Sequence, residues 1–345
     1  MPLELIAFCV ALVASLSLTV PVRQLALHLG MVDQPGPRKV HLTPIPLLGG
    51  LAMYLGVVLA LLATRPDPAW RQIAGILVGA TMLALVGFLD DGKFLHHQVK
   101  LFGAMPIAAL ILIFVGIRAE VLSEFLPGRA GIFLDGCLTV VWVVGITAAF
   151  SILDHMDGLC TGIAAVAAAF FVILAWSSGQ VLVSTLAAAT FGAALGFLRW
   201  NFKPAKIFMG DGGAMFLGFL MATLALKLRL PRITSSADWM IPIFVLGVPI
   251  LDTTLVSISR SRRGLLPFTS PGKDHTAHRL SNVGLGQKGA VLALYGLGCI
   301  FGVLALVIRY VPGPQDYILA GGVILSGFVV IYILEKCPYE RQQKH

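Results

Sequence analysis

Residues 201–218 read NFKPAKIFMGDGGAMFLG. The stretch joins two apolar runs and sets two lysines, a Lys-Pro step and Met-Gly-Asp-Gly-Gly between them. Asp211 is the last charge before an unbroken apolar segment, where a membrane helix would begin. Two readings of it are open. It N-caps the following helix, or, with glycine backbone behind it and Lys203 and Lys206 ahead, it helps to hold a divalent cation and phosphate.

The flanking runs decide the fold class. Of the 345 residues 57% are hydrophobic and only 12% charged, with a mean hydropathy of +0.89. A soluble globule does not need that much apolar surface, and the runs are continuous rather than alternating, which excludes a β-barrel. The expectation is all-α: a polytopic transmembrane helix bundle of about eleven spans (ten to eleven). They fall near 3–22, 48–64, 72–89, 101–117, 134–152, 158–177, 180–198, 212–226, 238–258, 289–308 and 317–335. The first run has no basic n-region and no A-x-A site, so it reads as a retained span rather than a signal peptide.

The net charge of +8 raises the question of nucleic acid, but its distribution points to membrane orientation instead. Even-numbered gaps hold eight of the 25 Lys and Arg; odd gaps and the C-terminal tail hold the other 17. The positive-inside rule then places odd gaps and the C-terminus in the cytoplasm and the N-terminus outside. Five cysteines without CxxC spacing read as small buried residues rather than zinc ligands or disulfides. One integral-membrane domain, 1–345, is expected, with its active site on loops 23–47, 90–100, 151–158, 199–212 and 259–288.

Those loops carry the unusual charges. GMVDQPGPRKVHLTPIPLLGG (30–50) has too many prolines and glycines for a regular helix, and its Arg38, Lys39 and His41 serve orientation or an anionic ligand. GFLDDGKF ends the third span with Asp90 and Asp91, adjacent acids at a helix C-terminus, where the dipole disfavours them. They repel unless a cation intervenes or one is protonated, so a metal or proton-transfer role is preferred. Lys93, His96, His97 and Lys100 follow, as phosphate partners or as a basic interfacial helix. In FSILDHMDGLCTG, Asp154 and Asp157 share a helical face; Asp157 also suits a cap for the sixth span, whereas Asp154 has no such explanation. Asp252 lies inside an apolar span, either functional or paired with Arg260. His275, His278 and Arg279 have the spacing of one helix face between Pro271-Gly272 and Gly284. HxxH without a following glutamate or a third ligand argues against zinc, leaving a phosphate-binding face or a membrane-surface helix. No Walker loop or GxGxxG occurs.

Taken in order, DQPGPRKVHLTPIPLLGG, FLDDG (88–92), ILDHMDGL (152–159), GFLRWNFKPAKIFMGDGGAMFLGF (196–219), VPILDT (248–253) and DHTAHRL (274–280) resemble the polyprenyl-phosphate N-acetylhexosamine-1-phosphate transferases over nearly the whole chain. The chain is more similar to the branch that starts O-antigen, enterobacterial common antigen or teichoic acid linkage units than to the MurNAc-pentapeptide translocase branch, whose triple-histidine element is DHTAHR here. The resemblance implies a Mg2+-dependent transfer (Mn2+ as substitute) of HexNAc-1-phosphate, foremost GlcNAc-1-phosphate, from a UDP-sugar to undecaprenyl phosphate, with release of UMP. It implies Asp211 and Asp91 as metal-side acids, and Asp90, Asp91, Asp211 and His275 as catalytic residues. Lys39, Ser151, Asp154, Asp157, Lys206, His278 and Arg279 would bind substrate. The expected setting is the bacterial inner membrane with a cytoplasm-facing site. The lipid, the UDP-N-acetylhexosamine and a homodimer are the expected partners, and nucleic acid is not.

The chain departs from the family pattern at three places. Two asparagines usual before Asp154 are Ala148 and Ser151, and the serine usual after Asp211 is absent from Gly212-Gly213-Ala214. An ion-coupled transporter and a catalytically silent homologue that binds lipid phosphate are the rival readings.

Overall fold

A computed structural model describes residues 2–34, 43–65, 70–92, 97–230, 238–265, 272–311 and 313–339. The chain packs as two compact units, Met1–Leu230 and Pro231–His345, which are taken in turn.

The first unit opens with α1 (Leu3–His28), whose buried residues Ala7, Ala11, Ser15, Thr19, Val22 and Ala26 recur every three or four positions and form one stripe of mostly small side chains. Small residues let helices approach closely where lipid removes the usual hydrophobic drive. Ser15 Oγ donates to the Ala193 carbonyl at 2.8 Å. A short ribbon pairs β1 (Val32–Asp33) with β2 (Ile45–Pro46) antiparallel. There follow α2 (Gly49–Thr64), α3 (Trp70–Asp91) and α4 (His97–Val99), the last leading into a π-helical turn, Lys100–Ala104, and then α5 (Met105–Phe114). Pro106 explains that turn. It has no N–H for the carbonyl four residues back, and the Met105 N–H bonds to the Lys100 carbonyl five residues back. Next come α6 (Leu122–Phe125), α7 (Arg129–Leu153), α8 (Leu159–Trp176), α9 (Val181–Asn201) and α10 (Gly210–Lys227). Asp135, buried in α7, accepts the N–H groups of Val121, Leu122 and Ser123 and so ties down the start of α6.

The centre of this unit is α10, buried without a break from Gly212 to Leu226. Glycines grip its first turn. A Cβ on Gly50 of α2 would strike the backbone of Gly213, and one on Gly87 of α3 would strike Gly212. The segment before α10 extends the ribbon: Phe208 N–H donates to Pro46 O at 2.8 Å, and Gly49 and Gly50 donate to Phe208 O and Met209 O, both at 2.9 Å.

The second unit contains a 3-10 turn (Asp238–Met240), α11 (Ile241–Val245), α12 (Gly247–Arg262), α13 (Thr276–Leu280), α14 (Gly286–Tyr310) and α15 (Gln315–Lys336). The single span expected at 238–258 is broken: the segments on either side of Leu246 are bent by 73°. Pro249 lacks the N–H that would bond to Val245 O, and Gly247 admits the Phe301 ring of α14.

Among the described residues, seven helices are long and apolar enough to cross a membrane, and eight if the bent pair is one span. Three others, Gly49–Thr64, Lys100–Phe114 and α10, coincide with the remaining apolar segments of the sequence. The chain is an all-α, multi-pass membrane protein. The cysteines require a correction. Cys160 is buried, but Cys9, Cys137 and Cys299 are exposed, because an apolar sequence does not distinguish a lipid-facing side from a packed one.

The glycine contacts predict that Gly213→Ala, facing Gly50, destabilises the protein by about 1–3 kcal/mol through overpacking. Gly136→Ala, where a Cβ meets nothing within 4 Å, is expected to be neutral or stabilising by about 0.5 kcal/mol. Thermal unfolding in detergent compares the two.

Candidate active site

Helices α3 and α10 bring the first group of acids together. Asp90 and Asp91 end α3, and Asp211 sits in the first turn of α10. Asp91 Oδ1 accepts the N–H of Asp211 at 2.9 Å, and Oδ2 accepts that of Gly212 at 3.3 Å. The cap of α10 is therefore supplied by a different helix. Neither Met209, the residue at the cap position, nor Asp211 makes a side-chain cap. The capping alternative for Asp211 fails for this reason. Gly210 makes the arrangement possible, with φ +70 and a missing Cβ that would otherwise collide with the Asp91 carboxylate.

The Asp211 carboxylate is left facing Lys100. Lys100 Nζ lies 2.7 Å from Asp211 Oδ2 and 2.5 Å from Asp90 Oδ2, with both acids partly covered. One ammonium thus bridges two carboxylates that would otherwise repel. In the sequence alone Lys100 reads as a phosphate partner or an interfacial residue, and not as one of the site residues. The one signal available was its position, at the head of an apolar run that Pro106 interrupts.

Asp154 follows α7. Burial, and then the charges of Asp211, Asp91 and Asp157, push its carboxyl up to about 8. The cap for α8 expected of Asp157 does not form: Gly158 stands at the cap position and there is no side-chain cap. Asp157 Oδ2 instead accepts the Ala205 N–H at 3.1 Å. It joins Asn201, whose amide donates to Ile207 O at 3.1 Å and accepts from Thr161 at 3.0 Å, in fixing the loop ahead of α10. In the same loop Lys206 lies over the Trp200 ring at 5.5 Å, and its carbonyl accepts from Arg23 Nε at 3.2 Å. Ser151 Oγ is buried and has no hydrogen-bond partner among the described residues, while Ala148 and Ala214 are buried and apolar. Lys39 lies outside the described residues.

The second unit carries the histidines. His275 occupies the position before α13, and its Nδ1 is 2.9 Å from Asp252 Oδ2. The other oxygen of Asp252 accepts the Thr276 N–H at 2.7 Å. Asp252 therefore pairs with His275 and the start of α13. Arg260, its expected partner, instead donates Nε and Nη2 to Asp274 at 3.0 and 2.9 Å. Burial alone would raise the Asp274 carboxyl, but the hydrogen bonds and charge of Arg260, then Arg263, hold it down at about 2. The rings of His275 and His278 are 6.4 Å apart. Arg279 corrects the expectation of one shared basic face. It is fully buried, with Nε donating to Asp274 O, Nη1 to Leu334 O and Nη2 to Ser259 Oγ at 2.8–2.9 Å. His275 stands ahead of α13 with extended backbone, so the three residues do not share one helical face, and Tyr339 and Glu335 cover Arg279.

Comparison with known proteins places this geometry in a family. The chain is 39% identical over 306 residues to a probable undecaprenyl-phosphate N-acetylglucosaminyl 1-phosphate transferase of Bacillus subtilis (strain 168), covering 88% of this chain and 84% of that protein. Residues 73–229 match the family described as Glycosyl transferase family 4. The chain belongs to glycosyl transferase family 4. A decaprenyl-phosphate N-acetylglucosaminephosphotransferase of Mycobacterium tuberculosis (strain ATCC 25618 / H37Rv) is 32% identical over 343 residues, 91% of this chain and 84% of that protein. An undecaprenyl-phosphate alpha-N-acetylglucosaminyl 1-phosphate transferase of Salmonella typhi is 25% identical over 324 residues, 91% and 86%. The segment matching glycosyl transferase family 4 contains Asp90, Asp91, Lys100, Asp154, Asp157 and Asp211.

Two outcomes follow from the acid cluster. Asp91→Ala is expected to cost about 0.5–2 kcal/mol of stability by uncapping α10, and Asp91→Asn distinctly less, because asparagine also caps; thermal unfolding measures both. The raised Asp154 carboxyl binds a proton in the folded chain that the unfolded chain releases near 3.8. Its contribution to stability is complete below that value and lost as the pH climbs through about 8. Thermal midpoints in EDTA are expected to fall from pH 6 to 8 and then level, and Asp154→Asn to flatten that segment.

Proposed function

We propose that this protein transfers GlcNAc-1-phosphate from UDP-GlcNAc to undecaprenyl phosphate at the cytoplasmic face of a bacterial inner membrane, releasing UMP. The observation that carries the reading is the Lys100 ammonium held between Asp90 and Asp211, at the ends of apolar helices. A lipid-borne phosphate reaches that level of the bilayer without leaving its leaflet, and a soluble sugar nucleotide reaches it from water. In the reaction, an oxygen of the lipid phosphate attacks the β-phosphorus of the sugar nucleotide. The bond from that phosphorus to the bridging oxygen breaks, and UMP departs with that oxygen.

Two anionic substrates repel each other, so the residues must offset negative charge as they align the attack. Lys100 does so by donating to phosphate oxygens once they displace a carboxylate from its ammonium. Asp90, released from Lys100, positions the attacking lipid phosphate or takes its proton. Asp91 acts through Asp211, whose place it sets by capping α10. Lys206 and Lys39 serve as phosphate contacts, and Asp154, Asp157 and Ser151 as nucleotide-side groups. In the second unit, His275, held by Asp252, and His278 are candidate phosphate contacts in their own right.

The first-unit cluster also fits a hard divalent cation. Its donors are carboxylate oxygens, and an ammonium already stands between two of the acids. Asp211 would hold Mg2+, or Mn2+ in its place, which would supply charge neutralisation on the diphosphate.

The test is UMP release by purified, detergent-solubilised protein given undecaprenyl phosphate, Mg2+ and one UDP-HexNAc at a time, with an EDTA control. Lipid- and metal-dependent release with UDP-GlcNAc is expected. Asp211→Asn should reduce turnover by roughly 10²–10³-fold, and near-normal activity in that variant would sink its assignment. No release with any sugar, from folded protein that still binds the lipid phosphate, would favour the silent homologue.

A further inference from the structure

Among the described residues of the second unit, a set of polar contacts beside the histidine turn joins it to residues 334–339. Arg279, one residue after His278, makes three hydrogen bonds that each reach a different place: Asp274 O ahead of α13, Ser259 Oγ on α12 and Leu334 O at the end of α15. Its Nη1 also lies 3.0 Å from Glu335 Oε2. The Tyr339 ring covers its guanidinium at 4.0 Å, and the same ring receives Arg263 at 5.3 Å. Tyr339 OH accepts from Ser259 Oγ at 3.4 Å, and Asn282 Nδ2 donates to Pro338 O at 3.1 Å.

A buried guanidinium is costly to leave without partners, so these contacts form or fail as a set. Only Asp316, Ala320, Val323, Ile331 and Leu334 of the 22 residues of α15 are buried. Five residues of α13 cannot hold a conformation by themselves. Asp252 fixes one end of this turn, at His275 and Thr276, and the segment 334–339 fixes the other through Arg279 and Asn282.

We propose that Tyr339 and Glu335 are positioning residues: by enclosing Arg279 they hold the His275–His278 turn in its working geometry, so that the C-terminal segment tunes the transferase reaction without touching substrate. This rests on the proposed function for the two histidines. Tyr339→Ala removes the ring over Arg279, whereas Tyr339→Phe keeps it.

The experiment compares Tyr339→Ala and Tyr339→Phe with the unaltered full-length chain in UMP release, alongside hydrogen exchange of residues 272–285. For Tyr339→Ala, kcat is expected to fall roughly ten- to hundredfold, with KM for UDP-GlcNAc changed less than about twofold because binding is not what is lost. Amides of 272–285 should exchange at least about tenfold faster while those of 290–308 do not change. Tyr339→Phe should restore both readouts. Unchanged exchange at 272–285 in Tyr339→Ala, or faster exchange with kcat unaltered, overturns the proposal. If the unaltered chain releases no UMP with any sugar, the reaction falls, and the exchange pattern with its rescue by phenylalanine still decides whether the C-terminal segment holds the turn.

Discussion

The first unit depends on a carboxylate lent by one helix to the N-terminus of another. The first-turn N–H groups of α10 have no partners within the helix and lie at a half-buried helix junction. Asp91 answers two of them from the end of α3. The bond sets the height of α3 against α10. That height in turn aligns Gly87 with Gly212, where any side chain would force the helices apart. It also turns the Asp211 carboxylate outward, since the amides beside it already have an acceptor. One interaction thus gives packing, register and the orientation of a candidate ligand.

Placing several acids in such a setting is tolerable only with compensation. Repulsion among carboxylates near the membrane is met here in two ways. Lys100 contributes a positive charge between Asp90 and Asp211, and the Asp154 carboxyl favours its proton up to about 8. Both compensations are reversible, unlike a packed hydrophobic contact. Substrate phosphates compete for the lysine, and added positive charge competes for the proton, so the same features that make the folded state tolerable also make it responsive to ligands.

The second unit repeats the device with different consequences. Asp252 meets the first N–H of α13 and the ring of His275, which fixes how the imidazole is presented. Asp274 neutralises Arg260 and Arg263. In the second unit Asp252 is a backbone acceptor and the partner of a side chain at once, whereas in the first Asp91 takes the backbone N–H groups and Asp90 and Asp211 meet Lys100. The choice between capping and chemistry was posed for single residues, and the structure distributes the two tasks among neighbours. For Asp211 and Asp157, the caps that proximity in sequence suggested do not form.

What the sequence determined by itself follows from composition and local order. Apolar runs too long and continuous for a soluble core required membrane helices; Asp90, Asp91 and Asp154 stood out because nothing in their own segments calls for a charge, and Asp157 and Asp211 because each borders an apolar run, where a cap is the other explanation. Motif order along the chain was enough to indicate the family. The tertiary structure alone decided which groups meet. Asp91 and Asp211 are 120 positions apart, and Lys100 and Asp211 are 111 apart; periodicity carries no information over such distances. Arg279 was assigned to a phosphate face because helical spacing fixes which residues are neighbours on a helix. It does not fix which side is covered, and that side was set by Tyr339 and Glu335, brought in by the last helix. The bend at Leu246 lay between these cases: Gly247 and Pro249 permitted it in the sequence, and the packing of Phe301 against Gly247 fixed where it occurs.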